Sequence, residues 1–192
     1  MNKREFIKNA CKIGACPCVV ALVAPEAASA QDADDCEETR DMNRRLEWRL
    51  NLAKRQLGTL LTSIEPEVSP EKRSAILEQM GRNCAGSLGW AEKFKDDPEG
   101  FFDYMNERYG ETISFNESRS KITVTTPERD CVCPIVDSSK IPSYYCNCSI
   151  GWQKQVYETI LGKTVTVILK ESALRGSKRC VFEISIPETS PA

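Results

Sequence analysis

The chain has 192 residues, ten cysteines, no histidine and a net charge of −2 from 26 Lys and Arg against 28 Asp and Glu. Without an imidazole there is no Ser/His/Asp triad, Cys/His dyad, His-bearing deaminase zinc site, facial iron triad or His-ligated haem. Any metal must sit on thiolates, carboxylates or backbone, and with no basic stripe the chain has no electrostatic footprint for nucleic acid or anionic lipid.

Residues 1–30 read as an export signal. Lys3, Arg4, Lys8 and Lys12 precede an apolar stretch from Ile13 to Ala24, and Ala28-Ser29-Ala30 is a small-x-small cleavage pattern. The run Asn2-Lys3-Arg4-Glu5-Phe6-Ile7-Lys8 resembles a twin-arginine signal with Lys3 at the first arginine position, so both that route and the general secretory route stay open. A lipoprotein reading at Cys16 has its preceding apolar run interrupted by Lys8, Asn9 and Lys12. Cleavage removes four of the basic and two of the acidic residues, leaving a net charge of −4 on a chain beginning at Gln31. No later stretch reaches the roughly 20 apolar residues that span a bilayer. The expected location is periplasmic or extracellular, and residues 31–192 are long enough for one compact domain.

Helices are predicted first, over residues 31–110. Leu46, Leu50, Ala53, Leu57, Leu60, Leu61 and Ile64 recur at helical spacing, predicting a long helix over 35–64 that serves as a homodimer contact or as an arm on its own domain. Ser69-Pro70-Glu71 and Asp97-Pro98-Glu99 each start a helix with a capping side chain followed by proline, and Gly110 ends the second. Between them Gly81, Gly86 and Gly89 predict a bend around Cys84.

From residue 111 the period changes. Residues 112–115 and 121–126 alternate about a turn-rich segment, predicting a hairpin. Ser149 is the expected cap of a helix carrying Trp152, Val156, Ile160 and Leu161 to Gly162, and residues 164–169 and 179–186 are two further strands. The fold class is α+β: N-terminal helices followed by an antiparallel sheet with a packed helix, the second part spanning 111–192.

The segment with chemistry is a pair of Cys-x-Cys steps, Cys131/Cys133 and Cys146/Cys148, separated by twelve residues. On extended strands residues i and i+2 share a face, so each step presents two sulfurs to one centre. Four thiolates suit zinc, although structural zinc sites usually space each pair by two to four residues, and the same donors suit Cu(I) or an iron-sulfur cluster. Disulfides compete: seven cysteines follow residue 30, including Cys36, and one is left over. Reactive or redox thiols are the third alternative. Cys84 and Cys180 are candidate additional ligands or buried structural thiols. For catalysis the candidates are Cys84, near Arg82, and Cys148, at a helix start that lowers a thiol pKa, with Glu128, Asp130 and Glu171 as available carboxylates. Tyr144, Tyr145, Trp152 and Tyr157 are candidate pocket residues beside the cysteines, with core packing the alternative.

Over residues 131–186, Tyr145-Cys146-Asn147-Cys148-Ser149-Ile150-Gly151, the helix to Gly162, the strand Val165 to Leu169, and Glu171 through Ile184 with Gly176 and Cys180 in register resemble the 4-vinyl-reductase-type small-molecule-binding domain. That family is similar in fold to a transport-complex subunit holding an acyl chain. Family members carry a cysteine eight residues before Cys180, where this chain has Ser172, so that position supplies no thiolate. The resemblance implies a ligand-binding or sensory α+β domain with an apolar pocket for a small apolar molecule and cysteines suited to a metal. A more distant similarity to the amino-thiazoline-carboxylate hydrolase family implies the alternative, a thiol-dependent enzyme acting as a small-substrate hydrolase or a thiol oxidoreductase.

Overall fold

The structure, a computed structural model, describes residues 30–187, with side chains from residue 38 onward. The export-signal reading therefore lies outside the described residues except for Ala30, and the Cys36 side chain lies outside them too. The chain divides into two compact units, residues 1–55 and 56–192.

The described part of the first unit is helical, the start of α1 (Ala30–Ile64). Asp41 pairs with Arg44 and, at 3.7 Å, with Arg45, while Met42, Leu46, Trp48 and Leu50 are exposed.

In the second unit the end of α1 is followed by α2 (Pro70–Leu88), a 3₁₀ turn (Trp90–Phe94) and α3 (Pro98–Tyr109). The local signals explain the boundaries. Ser69 Oγ accepts the Lys72 amide at 3.4 Å, Asp97 Oδ1 accepts the Gly100 amide at 3.0 Å, and Gly110 closes α3 at a φ of 68° that side-chain-bearing residues rarely adopt. The predicted bend around Cys84 is not there: α2 runs unbroken through Gly81 and Gly86. Gly81 instead permits a close helix contact.

The hairpin β1 (Thr112–Phe115) and β2 (Lys121–Thr125) opens an antiparallel sheet completed by β3 (Thr166–Glu171) and β4 (Val181–Ser185), in the order β1-β2-β4-β3. Between β2 and β3 run an irregular segment, a 3₁₀ turn (Ser143–Cys146) and α4 (Asn147–Leu161). Alternation along the strands sends Ile122, Val124, Val167, Phe182 and Ile184 to one buried face. Val156, Tyr157 and Ile160 of α4 complete that core with Phe101, Phe102 and Met105 of α3. Phe101 and Tyr157 meet edge to face at 5.7 Å.

A second core forms from Leu61, Leu77, Val136, Ile141 and Tyr145, with Leu57, Ile64, Met80, Tyr144, Cys131, Cys133 and Cys148 packed against it. Helices α2 and α4 cross with their backbones in contact. A Cβ on Gly81 would lie 1.8 Å from the Cys148 carbonyl oxygen, and one on Gly151 would lie 1.8 Å from that of Glu78. Around the crossing Arg82 meets Glu158 at 2.6 Å, Lys154 meets Glu78 at 2.8 Å, and Asn147 Nδ2 donates to Ser74 Oγ at 2.8 Å. The glycines bring the helices together, and these polar pairs fix how they cross.

Candidate functional site

The α2–α4 crossing places the cysteines. Cys148 occupies the first turn of α4, and its carbonyl touches Gly81. Cys84 lies three residues beyond Gly81, hence on nearly the same face of α2. Cys133 opens a turn closed by the Val136 amide to the Cys133 carbonyl at 3.0 Å. Cys146 Sγ lies 2.9 Å from Ser172 Oγ, and the next residue, Ala173, donates its amide to Cys180 Sγ at 3.5 Å. The side chains of Cys84, Cys131, Cys133, Cys146, Cys148 and Cys180 are all free thiols.

The two Cys-x-Cys steps do not behave as strand pairs. Cys131 and Cys133 lie in irregular chain, while Cys146 and Cys148 straddle the junction of the 3₁₀ turn with α4. Ser149 is inside α4, and the helix begins at Asn147 with no side-chain cap. In helical chain residues i and i+2 point in nearly opposite directions, so the Cys146 and Cys148 side chains leave the backbone on different sides. Charge on Cys148 is opposed by Cys133 and Cys84, and charge on Cys146 by Cys131 and Cys180. Cys133 also feels Cys84, and Cys180 feels Cys131. The thiols thus act on one another in overlapping fashion: Cys133 is influenced by Cys131 ahead of Cys84, and Cys148 by Cys133, Cys84 and Cys146.

Burial dominates the titration of these groups. It pushes the Cys148 thiol up to about 11, with its thiol neighbours adding to the effect. It likewise raises Cys133 against the pull of the Ile135 and Val136 amides, Cys146 against the Ser172 hydrogen bond and Arg175, and Cys180 against the Ala173 amide. The thiolate expected of Cys148 at a helix start is therefore overridden by desolvation, the reverse of an activated nucleophile. Arg82, expected to act on Cys84, is bound to Glu158 and Glu78. Of the carboxylates, Glu128 pairs with Arg179 at 2.5 Å, and Glu171 is an exposed residue of β3.

The aromatic candidates separate into two groups. Tyr144 and Tyr145 belong to the second core, where the Tyr144 hydroxyl donates to the Leu61 carbonyl at 2.7 Å and Arg73 lies over its ring. Tyr157 is fully buried in the sheet core, and Trp152 packs against that core with its ring 5.8 Å from Trp90. The buried hydroxyl of Tyr157 has no hydrogen-bond partner. That of Tyr145 is raised by burial and then by Cys148, Cys133 and Cys84, with the Cys148 thiol as its hydrogen-bond partner.

Thiols suit a soft ion by their chemistry, and the chain has no imidazole to compete with them. Among the described residues, however, no group of three or more Cys, Asp or Glu side chains is arranged to hold a metal ion. Ser172, noted from the sequence only as a position that supplies no thiolate, is the residue that engages Cys146.

No protein-family model matches the chain. No curated protein matches it. Among solved structures it is similar to trafficking protein particle complex subunit 3 from Naegleria fowleri, covalently bound to palmitic acid, at 18% identity and a TM-score of 0.46 over 76% of this chain and 99% of that one. It is also similar to a vinyl-4-reductase family protein from Methanocaldococcus jannaschii, at 14% identity and a TM-score of 0.33 over 68% of this chain and 76% of that one. At these values neither likeness bears on what this chain binds.

Proposed function

We propose that the protein is an exported small-molecule-binding or sensory protein whose thiol cluster takes a soft metal ion beside apolar surface. The observation that carries this reading is the set of six free thiols on α2, the irregular segment, the start of α4 and the turn before β4, in a chain without histidine. Binding is favoured over catalysis because burial holds Cys148, Cys133, Cys146 and Cys180 in the protonated form at neutral pH. A protonated thiol is a poor nucleophile, yet an ion that displaces its proton binds it well. Zinc, Cu(I) and an iron-sulfur cluster are the occupants that such donors accept. The second core, with Leu61, Leu77, Val136 and Ile141, provides the adjoining apolar surface. A second copy meeting the exposed Leu46 and Leu50 of α1 makes the proposed assembly a homodimer.

The test is metal analysis of reduced protein purified without oxygen. Stoichiometric zinc, copper or iron, lost when Cys131, Cys133, Cys146 and Cys148 are replaced by serine, is the expected result. No bound metal, together with an unchanged fold and unchanged ligand uptake in the four-serine variant, refutes the reading. Export is checked separately by N-terminal sequencing of the translocated protein, expected to begin at Gln31.

A further inference from the structure

We propose that α1 pairs antiparallel with α1 of a second copy of this chain, about a two-fold axis level with Asn43 and Arg44, so that Glu38 of each copy meets Arg49 of the other. The inference rests on the reading of the assembly as a homodimer and adds the direction and register of the second helix.

An uncovered apolar stripe marks the surface. Met42, Leu46 and Leu50 are 55%, 53% and 38% exposed. Their four-residue spacing puts them on one stripe of α1, which Ala53, also exposed, continues. The spacing of four, four and three residues then repeats through Leu57, Leu61 and Ile64, and those three pack in the second core. Side chains of one pattern are thus buried at the end of α1 and bare along residues 42–53. An eleven-residue repeat drifts only about 20° from an ideal helix, so a straight partner helix can follow the stripe.

Charge selects the occupant and its direction. Residues 31–41 hold six acids and one base, and residues 42–55 hold five bases and one acid. A helix divided in this way complements a reversed copy of itself, because acids come level with bases along its length. A parallel copy would set acids beside acids and bases beside bases. The register follows from Glu38 and Arg49, both exposed, which lie eleven residues apart and therefore flank the stripe on the same side. In an antiparallel pair like flanks meet. With the axis level with residues 43 and 44, Glu38 faces Arg49 of the second copy and Met42 lies beside its Leu46. The same axis brings Arg45 of the second copy level with Asp41, which already contacts Arg45 of its own helix at 3.7 Å.

The test is sedimentation equilibrium of the full chain, reduced, from micromolar concentrations upward. A dimer is expected. Leu46→Glu, at an exposed position where the fold does not depend on the side chain, should weaken it at least about 100-fold, because two leucines lose their cover. Glu38→Arg and Arg49→Glu should each weaken it on the order of tenfold, and the two changes in one chain should restore it, because the reversed charges meet again across the axis. In a parallel pair Arg49 would instead lie beside Lys54 of the other copy, and Arg49→Glu alone would tighten the dimer. A monomeric wild-type chain, or a dimer that Leu46→Glu leaves intact, overturns both this inference and the homodimer reading. A dimer that Leu46→Glu dissolves but Arg49→Glu tightens, or that the charge swap fails to restore, overturns the antiparallel pairing and leaves the homodimer standing.

Discussion

Replacing Gly81 by alanine should destabilise the protein even though alanine is the better helix former. A Cβ at this position lies 1.8 Å from the Cys148 carbonyl oxygen, whereas ordinary contact begins at 3.4 Å, so α2 and α4 must separate by about 1.6 Å. The obstacle is helix backbone, which cannot turn aside as a flexible side chain would. Overpacking of this kind costs about 1–3 kcal/mol or more, and the alanine returns about 1 kcal/mol through helix propensity. The net loss at the upper end of that range is about 2 kcal/mol. Gly86, five residues on in the same helix, is the internal control, because a Cβ there meets nothing within 4 Å. Gly86→Ala should therefore gain up to about 1 kcal/mol. Urea unfolding of both variants at unchanged m-value measures the difference. A Gly81→Ala midpoint equal to or above that of Gly86→Ala would refute the backbone contact, and with it the argument that brings Cys84 to Cys148.

Tyr157→Phe removes a buried hydroxyl without a partner and should be neutral or stabilising by about 1 kcal/mol, read from the same denaturation curves; a clear loss of stability would show that the hydroxyl is satisfied. Arg82→Ala should cost about 1–2 kcal/mol by leaving Glu158 without its nearest cation. Burial opposes ionisation of Glu158, but the Arg82 hydrogen bond, the Val165 amide and the nearby charges outweigh it and hold its carboxyl below the ordinary range. This contribution is therefore full above about pH 4.3 and is lost as pH falls further, so the wild-type and Arg82→Ala stabilities should converge in acid. Cys148, held up to about 11, should react with iodoacetamide at pH 8 on the order of 200-fold more slowly than a free thiol. Peptide mass spectrometry should show its rate climbing about tenfold per pH unit toward 11, and a plateau by pH 9 would contradict the burial argument.

Much of the fold was legible because its signals are local. Ser69, Asp97, Gly110 and Gly162 mark helix ends through hydrogen bonds and backbone conformations reaching only a few residues. The strands show themselves by two-residue alternation, and the switch from helical to alternating period near residue 111 is enough to define an α+β chain. The cysteines as a region were equally plain, because ten thiols and no histidine leave few other donors.

Their grouping was not legible. The strand geometry expected of the Cys-x-Cys steps gives way to irregular chain at 131–133 and to helical chain at 146–148, where side chains two residues apart point in nearly opposite directions. Glycines that read as a bend around Cys84 are helical, and Gly81 acts through a carbonyl 67 positions later in the chain. The pKa of Cys148 depends on burial by distant segments, which overrides the local influence of a helix start. Composition and periodicity by themselves determined that this is an α+β chain rich in thiols and without imidazole chemistry. Only the tertiary structure decided which thiols are neighbours, because that depends on two helices touching through Gly81 and Gly151 and on Ser172 reaching Cys146 across 26 residues of chain.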